Sequence, residues 1–315
     1  MKLILPWRSD RFLPRSLAFV LLFCVSAIVV SCTASSNPSK PEATSAPPAV
    51  SQPLQVAVIP WQSSEEQYKK LQPLVDYLQQ TLKRPVSFQI TKDYESAVEL
   101  LAQEKVEIAY LAALTYVKAH EKNPSLAPIV VPIDQLTGRP WYTSVIVADT
   151  NKSIHSLQDL KGKRFAFVSP SSTSGFLMPM TAFQKEGIDP TRDFTEIRYS
   201  GSHNKAETDL IEGRVDAIAH DKASFLRSQK SGRLSSAYKI IWESDPLPTG
   251  PIVINLKKFS PEAIAQLQQA LIDAPIGVVD VAGTQSAGYT LAKDADFEAV
   301  RQIYTRLKSL SVPAK

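Results

Sequence analysis

Cysteine is scarce in this chain: its 315 residues include two, Cys24 and Cys32. Two thiols cannot build a disulfide framework or a cysteine-based zinc site. A surplus of one charge is also missing. Lys and Arg total 35 against 31 Asp and Glu, a net of +4, and the first 31 residues hold +3 of it (Lys2, Arg8, Arg11 and Arg15 against Asp10). The remainder is left at +1, which argues against a nucleic-acid binder, since that needs a concentrated basic face. The four histidines (His120, His155, His203, His220) form no H-x-x-x-H metal pair. There is no G-x-S-x-G nucleophile elbow and no G-x-x-x-x-G-K-[ST] phosphate loop. With no visible set of nucleophile, base and orienting group, an enzyme is not expected, nor is a cofactor or metal. Beyond the leader, no apolar run approaches the length of a membrane-spanning helix.

What is present is ordinary for a globular protein, at 44% hydrophobic and 21% charged residues, which excludes wholesale disorder. The length suggests about two domains at roughly 150 residues each. The N-terminus reads as an address. Four basic side chains precede a 14-residue apolar stretch, Leu17–Val30, too short to span a bilayer comfortably and right for a signal-peptide core. It ends at Val29-Val30-Ser31-Cys32, which resembles the lipobox of bacterial lipoproteins. That resemblance implies a signal peptide over 1–31, cleavage before Cys32 and lipidation of its thiol; the alternative is an ordinary secretory signal with a coincidental cysteine. Residues 32–53 follow as a tether rich in Pro and Ser (Pro38, Pro41, Pro47, Pro48, Pro53), extended and semi-stiff, and unable to bury a core.

From Leu54 the pattern changes to alternating strands and helices. Strands are expected at 54–59, 86–91, 106–111, 126–133, 141–148, 164–169, 197–200, 215–219, 239–242 and 252–256. Between them run helical patterns, with a kink or restart expected at Pro73. Such alternation indicates parallel sheets with covering helices. Two α/β units follow, lobe I from 54–145 and 250–315 and lobe II from 146–249, joined by two β-rich links near 141–148 and 242–251. A cleft between them, beyond the carboxyl ends of the strands, is the expected ligand site.

The chemistry concentrates at strand-to-helix turns. Ser172, Thr173 and Ser174 stand where a helix begins, with Gly175 beside them. A helix start has unpaired N–H groups and a partial positive charge, so added hydroxyls make an anion cradle. Gly175 is expected to let backbone approach the ligand. Plain N-capping accounts for the hydroxyls as well. The same kind of turn recurs at Tyr199-Ser-Gly-Ser-His203, where His203 can donate to an oxyanion, more strongly if protonated. Asp221 could cap a helix or accept a donor from a ligand. Tyr94 could reach an oxyanion with its phenol from the other side. Trp61, Tyr110, Trp141 and Tyr142 are candidate pocket walls, with core packing the competing role.

Asp93-Tyr94, Val106-Glu-Ile-Ala-Tyr-Leu111, Ser172-Thr-Ser-Gly-Phe-Leu-Met-Pro179, Gly201-Ser-His203 and Val215-Asp-Ala-Ile-Ala219 occur in that order. Together they resemble the phosphate, phosphite and phosphonate-binding proteins of bacterial ABC transporters, from about Leu54 to Asp294-Ala-Asp-Phe297. The resemblance implies a two-lobe α/β type II periplasmic-binding-protein fold with a two-segment hinge. It implies that Tyr94, Ser172, Thr173, Ser174 and His203 hold a phosphorus oxyanion, and that an ABC permease and its ATPase are partners. A monomer is expected, lipid-anchored on the periplasmic side of the cytoplasmic membrane or at the cell surface. Relatives that bind aminoalkylphosphonates use acidic residues for the ligand amine. Asp221 could be one, but Thr249 and Gly250 stand where a second is expected, which favours a smaller oxyanion. A binder of sulfonate, nitrate or a thiamine-type precursor, or a ligand sensor, are the alternatives.

Overall fold

The computed structural model describes residues 52–135, 137–276, 278 and 286–310. The leader, Cys32 and nearly all of the tether lie outside them. The chain opens with β1 (Leu54–Val58), α1 (Ser64–Leu82), β2 (Val86–Ile90), α2 (Tyr94–Ala102), β3 (Ile108–Tyr110), α3 (Ala113–Lys122) and β4 (Leu126–Asp134). It continues with β5 (Trp141–Tyr142), β6 (Ser144–Asp149), β7 (Arg164–Phe167), α4 (Met178–Lys185), α5 (Pro190–Asp193), β8 (Glu196–Tyr199), α6 (His203–Ile211), β9 (Ala217–Asp221) and α7 (Lys222–Lys230). It closes with β10 (Tyr238–Glu243), β11 (Leu247–Pro248), β12 (Ile252–Asn255), α8 (Pro261–Ile272), β13 (Ser286–Leu291) and α9 (Glu298–Leu310).

The helices start where short polar side chains can take their free N–H groups. Ser63 accepts from Glu66, Asp93 from Ser96, Ser202 from Lys205 and Ser260 from Ala263. Pro73 does not restart the chain as a separate helix, because α1 runs through it. Its ring sits on the exposed face, where the Lys69 carbonyl that loses its partner can turn to water.

Two sheets form, in the orders β13-β4-β12-β3-β1-β2 and β10-β6-β9-β7-β8. Neither is the all-parallel sheet expected from the alternation. β1 runs parallel to β2 and β3, and β7 parallel to β8 and β9, but β12, β13, β6 and β10 pair antiparallel. The reversal arises where the chain crosses between sheets and returns without a covering helix. At the crossings, β5 and β11 pair antiparallel as a two-stranded ribbon. Alternate residues of the second sheet feed two apolar clusters: Ile146, Ala148, Phe165 and Phe167 in one, Val145, Val147 and Ala166 in the other. That sheet is therefore buried on both faces. Val168 and Leu177, just past β7, join the core of the first sheet instead.

Three further differences are local. The ninth strand sits two residues later than expected, so His220 and Asp221 end it rather than follow it. Helix α7 and strand β13 were not legible in the pattern; α7 has few large apolar residues, burying Ala223, Ser224 and Phe225. Among the described residues, no helix is long and apolar enough to cross a membrane.

Candidate functional site

The carboxyl ends of the parallel strands carry the chemistry. Beyond the first sheet's strands lie Trp61 after β1, Tyr94 after β2 and Tyr110 ending β3. Beyond the second sheet's lie the 172–174 turn after β7, His203 after β8 and Asp221 ending β9. This is where open α/β sheets bind ligands.

The hydroxyl turn is built first. After β7 the backbone forms one π-helical turn, Thr173–Leu177, before α4 begins; such turns are frequent at functional sites. Gly175 serves packing here rather than ligand approach. A Cβ on it would lie 2.4 Å from Val168 Cβ and 2.8 Å from Ser172 Oγ, so glycine lets the turn seat on the strand end. Ser172 Oγ accepts from Gly175 N at 3.0 Å, and Thr173 Oγ1 accepts from Leu114 N at 2.9 Å. Thr173 thus caps α3, whose own cap position, Ala112, has no side-chain acceptor. A hydroxyl that accepts a backbone N–H keeps its own hydrogen to give. Capping and anion donation are therefore compatible in one atom.

The same loop is tied to the first sheet's helices. Ser171 Oγ donates to Glu95 Oε1 at 2.6 Å and accepts from Lys118 Nζ at 2.7 Å, while Thr115 Oγ1 donates to the Ser171 carbonyl at 2.9 Å. Burial pushes the Lys118 ammonium below its ordinary range. Sequence reading missed Glu95 and Lys118; their positions on α2 and α3 gave no sign of a partner across the cleft.

Tyr94 is fully buried, and its hydroxyl makes no hydrogen bond of standard geometry. Burial is the main cause that pushes its phenol up; Tyr142 and Asp221 add to this, and nearby Ser172 pulls the other way. Tyr142 is pushed up to about 12 by burial, with the Ser174 and Thr173 hydroxyls opposing it and Asp221 adding to it. The 172–174 turn therefore lies between two phenols.

His203 is also fully buried, and neither ring nitrogen has a hydrogen-bond partner. Its ring stacks on Trp61 (centroids 4.5 Å apart, 29° between planes) and lies 4.8 Å from His220. Burial, then the charge on His220, lowers it to about 3. The ring is thus neutral, not the imidazolium that would donate most strongly; an anion arriving beside it favours the proton again.

Behind it, burial alone would lower His220, but Asp221 and Glu207 outweigh this and raise it to about 10. Its Nε2 lies 3.1 Å from Glu207 Oε1, and its Nδ1 lies 3.4 Å from Asp221 Oδ2. Of the two readings of Asp221, the structure shows the helix cap. Oδ1 caps α7, accepting from Ser224 N at 2.8 Å, and Oδ2 is buried with no hydrogen-bond partner. Burial works against its charge, but His220, then His203 and Arg227, hold it below the usual carboxylate range. His203, His220 and Asp221 could geometrically share a metal ion. With His220 raised by the carboxylates on either side, the same group also forms a charge network.

A cavity of about 40 Å³ adjoins these groups, lined among others by Trp61, Tyr110, Tyr142, Asp221, Arg227 and Gly250. One water needs roughly 10–15 Å³ on this scale, so the space suits a guest the size of a few waters. Gly250 is required there: a Cβ would fall 2.4 Å from the Leu111 carbonyl oxygen. Arg227, missed from sequence, pairs with Asp134 at 3.1 Å across the cavity wall. Trp141, expected as a wall, lies elsewhere, 41% exposed under the Arg139 guanidinium and beside Pro246 and Pro248.

Two sheets joined by a two-stranded link, with buried polar groups at their strand ends, define a type II periplasmic binding protein of two lobes. The profile of the family described as "ABC transporter, phosphonate, periplasmic substrate-binding protein" matches residues 56–298, and the chain belongs to that family. It is a solute-binding component of an ABC importer. It is 26% identical over 301 residues to the phosphate-import protein PhnD of Mycolicibacterium smegmatis, covering 89% of this chain and 92% of that one. It is 27% identical over 208 residues to the phosphonates-binding periplasmic protein of Escherichia coli, covering 64% of this chain and 60% of that one. The structure of PhnD1 from Prochlorococcus marinus in complex with methylphosphonate superposes with a TM-score of 0.72 at 21% identity, covering 81% of this chain and 98% of that one.

Proposed function

We propose that the protein captures a small tetrahedral phosphorus oxyanion (phosphite, phosphate or an alkylphosphonate) in this cleft and delivers it to an ABC permease and its ATPase. One observation carries the reading: the fully buried Tyr94 hydroxyl, near Ser172 and Asp221, and both His203 ring nitrogens, the nearer of them 3.7 Å from Asp221 Oδ2, lack hydrogen-bond partners. Buried polar atoms are rarely left unpaired, and a ligand oxyanion would satisfy them together. Ser172, Thr173, Ser174, Tyr94 and His203 hold the anion, with Trp61, Tyr110 and Tyr142 walling it. Its family is that of a transporter's substrate-binding component, which supports binding rather than transformation of the guest.

Lobe I comprises 54–145 and 250–315 and lobe II 146–249, a division that the membership of the two sheets supports except at Ser144 and Val145, which open β6 in the second sheet. Cleavage before Cys32, lipidation of its thiol and a tether to residue 53 place a monomer on the periplasmic face of the membrane. Radiolabelled palmitate incorporation that disappears in Cys32→Ser tests the anchor.

Calorimetry with phosphite, methylphosphonate, phosphate, aminoethylphosphonate and sulfate tests the ligand class. Micromolar or tighter binding of at least one phosphorus oxyanion is expected. The same titration with methanesulfonate and nitrate tests the alternative: heat with one of these and with no phosphorus ligand would move the assignment to that class of anion.

A further inference from the structure

An anion site with a bare carboxylate oxygen in it poses a physical problem. Asp221 Oδ2 is buried, has no hydrogen-bond partner and belongs to a residue that lines the cavity. A second negative charge brought beside it is repelled, unless the guest carries a hydrogen to place between them. The groups around Asp221 do not remove this demand. His220 comes from its own strand, His203 and Glu207 from α6, Arg227 from α7, Tyr94 from α2 and Tyr142 from β5. Arg227 is committed to Asp134 and Ser224. His203 Nδ1 stands 3.7 Å from Oδ2, too far for a hydrogen bond.

The arrangement is braced from behind. Glu207 is buried and takes hydrogen bonds from Ser228 Oγ on Oε1 at 2.6 Å and from Arg233 Nε on Oε2 at 2.8 Å, and His220 Nε2 lies 3.1 Å from Oε1 as an ion pair without hydrogen-bond geometry. With Arg233, His220 and the two carboxylates all charged, the cluster sums to zero. The Asp221 amide nitrogen, 2.8 Å from His220 Nδ1, favours a neutral ring, but two buried carboxylates outweigh one amide dipole.

We infer that Glu207 and His220 are positioning residues for specificity: they fix Asp221 Oδ2 as an acceptor inside the anion site, which therefore selects oxyanions bearing an acid hydrogen over those with none. Hydrogen phosphite, hydrogen phosphate and hydrogen methylphosphonate carry that P–OH group; sulfate and methanesulfonate do not. The inference rests on the proposed oxyanion reading and deepens it.

Calorimetry on the protein as cells process it, purified from membranes in detergent, tests this without any variant. Methylphosphonate is expected to bind at least 100-fold more tightly than methanesulfonate at pH 6. Its affinity should then fall about tenfold per pH unit once the ligand loses its second proton, following the fraction that still carries the hydrogen. Equal binding of the two ligands, or a flat pH profile, overturns the inference while leaving the oxyanion site standing. No heat with any phosphorus ligand overturns the oxyanion reading and this inference with it.

Asp221→Asn, which can turn an N–H to the guest, should cut the methylphosphonate-to-methanesulfonate ratio at least tenfold and flatten the pH profile. Glu207→Gln, with its partner Asp221 intact, should cut the ratio by about threefold to tenfold. If Glu207→Gln weakens both ligands by one common factor, the pair is merely structural and its positioning role is refuted.

Discussion

The two strand-to-helix turns of the second sheet look alike in sequence and differ in what they leave free. The turn after β7 spends its polar atoms on the protein: Ser171 bridges Glu95 and Lys118, Ser172 caps its own helix and Thr173 caps α3. The turn after β8 and the strand end beside it leave atoms unspent, namely both His203 nitrogens and Asp221 Oδ2. The first turn is a frame in which Ser172 and Thr173 have only their hydrogens left to offer. The second is a charge-bearing wall, set by burial and by His220. Hydroxyl-rich loops advertise binding in a sequence, yet most of this one's capacity goes to holding the two lobes in register.

The largest test of that contrast is pH, because the second region titrates where the hydroxyl row does not. His220, raised to about 10, contributes stability in full below its unfolded value of about 6.5 and loses it as pH climbs toward 10. His203, lowered to about 3, acts oppositely. The unfolded chain takes up a proton that the folded ring refuses, so stability falls as pH drops from about 6.5 toward 3. Thermal melting should be highest near pH 6.5, with losses on the order of a few kcal/mol toward the alkaline end. His220→Gln should flatten the alkaline limb. A wild-type curve level from pH 6.5 to 9 would deny the buried imidazolium.

Thr173→Ala comes next, since it removes a hydroxyl given two roles. Losing a hydrogen bond to a charged guest costs about 1.5–3 kcal/mol, or roughly 10- to 150-fold in affinity. Thr173→Ser should restore most of it. Unchanged affinity in Thr173→Ala would make the residue a cap for α3 and nothing more. Gly175→Ala probes the frame itself. Its Cβ meets Val168 at 2.4 Å, and overpacking of that kind costs about 1–3 kcal/mol, read as a lower melting temperature with ligand absent.

The contrast also marks how far sequence could reach. The strands and most helices follow from apolar periodicity. Strand direction did not follow, because alternation of strand and helix says nothing about the two crossings at β5 and β11 that reverse the chain. Tyr94, His203 and Asp221 could be picked out because each sits at a strand end with a side chain able to reach an anion. Trp141 passed the same filter on residue type alone and lies on the surface. Glu95, Lys118, Glu207 and Arg227 were invisible for a different reason. Each is an ordinary charged residue on a helix, and its role comes from a partner 21 to 93 positions away.

The smallest effect should come from the tie between the lobes at Ser171. Its hydroxyl donates to Glu95 and accepts from Lys118, and it is fully buried. Ser171→Ala leaves that carboxylate and ammonium close enough to pair with each other or with the Pro170 carbonyl, which Lys118 already reaches at 3.1 Å. The net loss is then that of an ordinary hydrogen bond, about 0.5–1.5 kcal/mol, because the stranded charges find substitutes. The contact crosses the cleft, so the loss falls on the closed arrangement and affinity should drop by roughly twofold to tenfold. The selectivity among anions should stay where it was, since Ser171 is not among the groups that face the guest. A fall in affinity as deep as that of Thr173→Ala, or a changed preference between methylphosphonate and methanesulfonate, would place Ser171 in the binding wall and erase the division between the two turns.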